Sequence, residues 1–191
     1  MTCRWYVIKR LRPSHSQEFL DKLYAEPHNH WLYGRGHGLR VKITQVIAAD
    51  MAREVQAQTV ADLSCGNGDI ARSLDLTMFL GDYASGYEYS GPLEDTLEQI
   101  PEVSLYICSE TLEHLNNPES VLSTIRGKAK ALVLTTPINA WEDDNKEHYW
   151  AWDREGVESL LLKTGWSPNV FASLDSTVFK ETYTYGIWGC L

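Results

Sequence analysis

Basic residues are in short supply in this 191-residue chain: 17 lysines and arginines face 26 aspartates and glutamates, a formal net charge of −9. Proteins that grip nucleic acid need a basic face to neutralise phosphates, so a large nucleic-acid footprint is disfavoured. Only a small basic patch at a site stays open. Cysteine is scarce as well. Cys3, Cys65, Cys108 and Cys190 show no C-x-x-C spacing, which argues against a zinc ribbon or a disulfide framework and for reduced thiols in the cytoplasm. Long apolar runs are missing: no segment reaches the length of a membrane span, and Trp5-Tyr-Val-Ile8 is too short for the core of a signal peptide. No repeat or low-complexity tract is visible. What remains is ordinary globular composition, 43% hydrophobic and 23% charged, sufficient for one domain without disulfide staples. Seven tryptophans and ten tyrosines are many for this length; they suit a ring-lined pocket, although core packing accounts for most rings in any protein.

Along the chain, residues 4–11 read as an edge strand or an attached arm. Phe19, Leu20, Leu23 and Tyr24 have helical spacing behind Ser14 or Ser16 as cap. Residues 25–38 read as loop, and Leu39 to about Gln58 as a helix. Thr59–Ser64 is a short buried strand that stops at Cys65-Gly-Asn-Gly68, after which Asp69–Leu74 reads as a helix. Apolar runs at Thr77–Leu80, Val103–Cys108 and Ala131–Leu134 predict further strands. Glu110–Arg126 reads as a helix interrupted at Asn116-Asn-Pro118, and Asn139–Trp152 as a polar loop. Asp153 is placed to cap a helix Val157–Lys163 that ends at Gly165. Trp166–Ala172 and Thr177–Trp188 read as a terminal hairpin turning at Leu174-Asp-Ser176. The alternation spells an α/β, doubly wound Rossmann-like sheet.

The first chemical signal is Val60-Ala-Asp-Leu-Ser-Cys-Gly-Asn-Gly68. Glycines at 66 and 68 let the backbone approach a ligand closely and adopt dihedrals that side chains forbid. No Gly-Lys-Ser/Thr follows, which excludes a P-loop, and Ala71 stands where a dinucleotide fingerprint needs its third glycine. Asp82, at the end of the next strand, is placed to accept ribose hydroxyls. As a bland alternative, the glycines form a plain turn and Asp82 is a solvated strand end.

This segment resembles motif I of the class I S-adenosylmethionine-dependent methyltransferases. The resemblance implies a seven-stranded sheet with a C-terminal antiparallel hairpin and S-adenosylmethionine as cofactor. It assigns Ser64, Cys65, Gly66 and Gly68 to the methionine part, Asp82 and Tyr83 to the ribose side, and Ser109 to the end of the fourth strand. Gly91-Pro-Leu-Glu-Asp95 is similar to the family's adenine segment and brings in Leu93 and Glu94, with Pro92 in place of the usual acid. Too few residues follow Tyr83 for the usual intervening helix, so the fold reads as trimmed. The resemblance covers residues 38–188 and implies one methyltransferase domain over 1–191, with 1–58 as arm and cap helices and 59–191 as the cofactor-binding core.

The second signal is Ser109-Glu-Thr-Leu-Glu-His-Leu115. On a helix, Glu110, Glu113 and His114 would share one face at i, i+3 and i+4. Two carboxylates and an imidazole on one face call for a positive partner, and a divalent cation, manganese or magnesium, is the economical one. His148, in the loop after the fifth strand, is the candidate fourth ligand. The set resembles that of the small-RNA 3′-terminal 2′-O-methyltransferases, whose Thr-Thr-Pro-Asn and His-x-Phe-Glu-Trp elements are similar to Thr135-Thr-Pro-Ile-Asn139 and His148-Tyr-Trp-Ala-Trp152. The ubiquinone-pathway O-methyltransferases share the Leu-Glu-His core. Their segment before motif I is similar to His37-Gly-Leu-Arg40, which implies that Arg40 meets the cofactor carboxylate.

The expected function is methyl transfer from S-adenosylmethionine to an oxygen of a small hydroxylated acceptor, such as a sugar or glycan diol. Glu110, Glu113 and His114 would be catalytic, and Glu110, Glu113, His114 and His148 would hold the metal. Metal-free N- or O-methylation with His114 as base stays open, as does a non-catalytic cofactor-binding partner protein. Nucleic acid and membrane are not expected partners. His28, His30 and His37 lack metal-site spacing and read, with Tyr24, Trp31 and Tyr33, as a loop over the pocket. Asp143-Asp144 reads as solvated loop.

Overall fold

The computed structural model describes residues 7–24 and 34–191. Cys3, His28, His30, Trp31 and Tyr33 lie outside the described residues. In chain order the elements are β1 (Ile8–Arg10), α1 (Gln17–Leu23), α2 (Arg35–Glu54), β2 (Thr59–Asp62), β3 (Thr77–Asp82), β4 (Tyr89–Ser90), α3 (Leu93–Leu97) and β5 (Val103–Ser109). There follow α4 (Pro118–Lys128), β6 (Ala129–Ile138), β7 (Trp150–Trp152), α5 (Arg154–Lys163), β8 (Pro168–Asp175) and β9 (Thr184–Cys190). Seven strands form one sheet in the order β4-β3-β2-β5-β6-β9-β8, and β1 pairs with β7 in a separate ribbon. Strands β4 to β6 are parallel; β9 runs antiparallel between β6 and β8, which gives the expected terminal hairpin.

Strand alternation splits the core into two layers. Tyr106, Cys108, Leu132 and Leu134 point to the face covered by α3, α4 and α5, where Leu97, Leu122, Ile125, Leu161 and Trp166 pack. Leu105, Ile107, Ala131 and Val133 point to the other face, against Ile47, Ala48 and Met51 of α2. That two-sided burial is why β5 and β6 read as continuous apolar runs rather than alternating ones. Helix α2 is therefore a layer of the sheet's own core.

Several expectations need correction. Gly34–Gly38 is the entry into α2, not a loop. Its first-turn amides, which have no partner within the helix, find a cap far along the sequence: the Glu181 carboxylate accepts from Gly36 N at 2.7 Å and from His37 N at 3.1 Å. The Asp69–Leu74 helix is only a 3₁₀ turn at Ala71–Ser73, because the chain must reach β3 at Thr77 and has no room for a longer one. Glu110 does not start a helix either. It sits at φ 54°, a 3₁₀ turn follows at Leu112–His114, and α4 begins only at Pro118. Proline belongs in a first helical turn and keeps the preceding residue extended, so the helix cannot reach back past the Asn117 cap. Trp150–Trp152 is a strand rather than the tail of a loop, and the hairpin turns through a 3₁₀ segment at Ser176–Phe179.

Candidate active site

A cavity of about 770 Å³ lies at the carboxyl ends of the parallel strands. Ser64, Cys65, Gly66, Asp82, Tyr83, Leu93, Glu94, Ser109 and Arg40 line it, and so do Glu110, Glu113, His114 and His148. Gly68 does not. It instead turns the chain behind the cavity wall at φ 75°.

One half is built on the glycine turn. Gly66 (φ 54°) presents its amide to Asp82, whose Oδ2 accepts it at 2.8 Å, while Oδ1 accepts from Ala84 N at 3.1 Å. The Tyr87 hydroxyl donates to the Gly66 carbonyl and pins the same turn from outside. Asp82 thus shapes the loop as well as facing the cavity. Asp62, which the sequence reading passed over, is buried beneath the turn; burial is the main cause that lifts its carboxyl to about 7. Arg40 is buried, with Nη1 donating to Ser109 Oγ at 2.6 Å and Thr135 Oγ1 at 3.2 Å. Its Nε has no partner, and among the described residues no carboxylate forms an ion pair with it. A buried guanidinium with no ion-pair partner among the described residues, at a cavity wall, suits an anionic ligand group. Over this half lies α1: Tyr83 donates to Asp21 at 2.8 Å and its ring meets Tyr24 at 4.9 Å.

The other half gathers distant segments. Glu113, His114 and His148 each offer a ligating atom within 4.8 Å of the others. Glu113 is 1% exposed. Its Oε2 accepts from Thr136 Oγ1 at 2.9 Å, while Oε1 is buried with no hydrogen bond, as is Nδ1 of His114. The imidazoles of His114 and His148 meet edge to face at 4.7 Å. Burial, then the charge of Glu110, raises the Glu113 carboxyl to about 8. Burial, then the field of His148, drives His114 well below its usual range. A neutral imidazole beside a carboxylate with an unpartnered oxygen is a donor set ready for a cation.

Glu110 stands apart from these three. Its Oε1 accepts from Thr135 Oγ1 at 2.7 Å, and its backbone N donates to Thr135 O at 2.9 Å, so the residue is held against β6. The i, i+3, i+4 face expected from the sequence fails because no α-helix runs through Glu110. Asp143 is a second correction. Far from solvated, its side chain is 1% exposed and Oδ2 lies 2.6 Å from His148 Nδ1, whereas Asp144 is exposed as expected. Tyr183 carries no signal in the sequence, and Asp143 reads there only as part of a solvated acidic pair. The only signal for Asp143 was an acid five residues before a histidine.

No protein-family model and no curated protein sequence matches the chain. Solved structures do match in fold. The 1,6-didemethyltoxoflavin-N1-methyltransferase of Burkholderia thailandensis, with its substrate and S-adenosylhomocysteine bound, aligns over 100% of this chain and 96% of its own at TM-score 0.66 and 12% identity. Magnesium protoporphyrin IX methyltransferase of Synechocystis, with S-adenosylhomocysteine, aligns over 91% and 92% at TM-score 0.58 and 14% identity. A Clostridium acetobutylicum S-adenosylmethionine-dependent methyltransferase aligns over 78% and 91% at 0.56 and 10%. The fold is that of the S-adenosylmethionine-dependent methyltransferases. No described helix is long and apolar enough to cross a membrane.

Proposed function

We propose that the protein transfers a methyl group from S-adenosylmethionine to an oxygen of a small hydroxylated acceptor, a sugar or other vicinal diol, with a divalent cation held by Glu113, His114 and His148. One observation carries the reading: a single cavity joins the Gly66 turn and Asp82 to a Glu-His-His group, with Glu113 and His148 buried and His114 half-buried, whose Glu113 Oε1 and His114 Nδ1 lack hydrogen bonds. The fold neighbours, which include N- and O-methyltransferases by name, support methyl transfer in general. Two imidazoles among three donors favour Mn²⁺ over Mg²⁺, which prefers oxygen.

When bound, S-adenosylmethionine supplies a methyl group on a sulfonium and the cation supplies Lewis acidity toward a hydroxyl. The chain's own part is alignment. The Gly66 turn receives the methionine part, Asp82 the ribose and Arg40 the carboxylate, and the acceptor lies toward the Glu-His-His group. Holding the two reactants in line removes several kcal/mol of entropic barrier, on the order of 7–11 kcal/mol in favourable cases. Glu113 keeps its proton in the metal-free protein because burial and Glu110 raise its carboxyl, so cation uptake releases that proton. In the metal-free alternative His114 takes the hydroxyl proton. Its buried ring, held far below the usual imidazole range, is a poor proton acceptor for that step.

The test is transfer of labelled methyl to a panel of vicinal diols with Mn²⁺ and with a chelator. The reading predicts turnover that the chelator abolishes and that blocking the neighbouring hydroxyl prevents. Transfer indifferent to both would sink it.

A further inference from the structure

We infer that Asp143 is a positioning residue for the Glu113–His114–His148 group, fixing which nitrogen His148 turns to a cation. The inference rests on the metal reading above. Asp143 Oδ2 sits 2.6 Å from His148 Nδ1, and Asn145 Nδ2 lies 3.2 Å from the opposite nitrogen, Nε2. Both contacts require the same tautomer: a proton on Nδ1 donated to the carboxylate, and a lone pair on Nε2. Nε2 then carries the lone pair that a metal would take over from Asn145 Nδ2, and a carboxylate behind an imidazole strengthens it as a ligand.

The aspartate is itself held from three sides. Oδ1 accepts from Tyr183 Oη at 3.0 Å, on the segment entering β9, and from Asn145 N at 2.9 Å. From the strap after β1, the Arg12 guanidinium donates to the backbone carbonyls of Asp143 and Asn145. The side chain is almost wholly enclosed. A solvated loop acid would have none of these partners. Tyr183 therefore reaches the carboxylate from a remote segment and Arg12 ties down the backbone of its loop, while the neighbour Asp144 is exposed.

The experiment is calorimetric and paramagnetic-resonance titration of Mn²⁺ into wild type, Asp143→Ala, Asp143→Asn and Tyr183→Phe, with S-adenosylhomocysteine affinity as the measure of an intact fold. Asp143→Ala should weaken Mn²⁺ about 10- to 100-fold, the usual cost of losing an outer-shell partner, with S-adenosylhomocysteine binding unchanged. Asp143→Asn, which keeps an acceptor oxygen, should lose less, and Tyr183→Phe least. Long-range ¹H–¹⁵N correlation of the metal-free protein in alkaline buffer adds a readout that simple loss of packing would not move. The Nδ1–H tautomer of His148 should dominate in wild type and give way to a mixture in Asp143→Ala. Equal Mn²⁺ affinity in wild type and Asp143→Ala, with the tautomer unchanged, overturns the inference alone. Wild type that takes up no Mn²⁺ overturns the metal reading and the inference with it.

Discussion

The two halves of the cavity are built on opposite principles. The half around Gly66 is local except for Arg40: one turn, pinned by Asp82 and Tyr87 from the next stretch of chain, has its amides satisfied, and only Arg40, brought in by α2, keeps an unpartnered Nε. The half around Glu113 is assembled from β6, the 3₁₀ turn after β5, the loop before β7, the strap after β1 and the segment entering β9. It leaves Glu113 Oε1 and His114 Nδ1 buried without partners. The turn itself can be complete before any ligand arrives. An assembled half with orphaned donors and acceptors is costly to hold, of the order of 1–3 kcal/mol for each unsatisfied group, unless something binds there.

Asp62 is the place to break this comparison, since it is a buried carboxyl, costly to ionise, in the half whose amides are satisfied. Its carboxyl sits near 7, up from 3.8, chiefly through burial. The folded state therefore holds a proton that the unfolded state has lost between those values. Stability from this group falls as pH rises from about 4 to about 7, by roughly 4 kcal/mol at 1.36 kcal/mol per unit. Asp62→Asn should abolish that slope in cofactor-free protein and raise stability at pH 8 by an amount of that order. Chemical denaturation at pH 5 and pH 8 checks it; a variant that keeps the wild-type slope contradicts the assignment.

The next effect sharpens the separation of the halves. Asp82→Ala removes the acceptor of two amides that shape the turn, and hydrogen bonds to a charged group are worth about 1.5–3 kcal/mol. S-adenosylhomocysteine affinity should fall about 100-fold, while Mn²⁺ affinity stays at the wild-type value. If both fell together, the halves would be one cooperative unit and the comparison would fail.

The smallest effect concerns the frame behind both halves. Glu181 caps α2 through Gly36 and His37, and that cap ties the segment leading to Tyr183 onto the helix that carries Arg40. Glu181→Gln keeps an acceptor but loses the favourable charge at a helix N-terminus. The expected loss is about 0.5–1 kcal/mol in thermal or denaturant unfolding, with no change in the fold. A loss above several kcal/mol would mean that the carboxylate has a further role.

The same contrast explains what could be read from the sequence. The glycine turn, the acid ending β3, the strands β2, β3, β5 and β6 in their order and the terminal hairpin follow from local pattern, and the structure has them. Glu113, His114 and His148 were legible as residue types, but their meeting depends on how the loop before β7 folds back, and the helical register that would have added Glu110 does not exist. Pro118 and the left-handed Glu110 end that register, and neither shows in the spacing of acids. Asp143 reads as solvated for a related reason: a loop rich in polar residues looks exposed until it folds His148 back onto Asp143 and Tyr183 and Arg12 arrive from elsewhere. Glu181 carries no local signal at all, because its partners are amides on a helix 145 residues away.

The most direct test of the account is a calorimetric titration of Mn²⁺ at saturating S-adenosylhomocysteine, into wild type and Glu113→Ala. The account predicts one site in wild type that disappears in Glu113→Ala while S-adenosylhomocysteine still binds. No Mn²⁺ uptake by wild type, or uptake that survives the substitution, would contradict it.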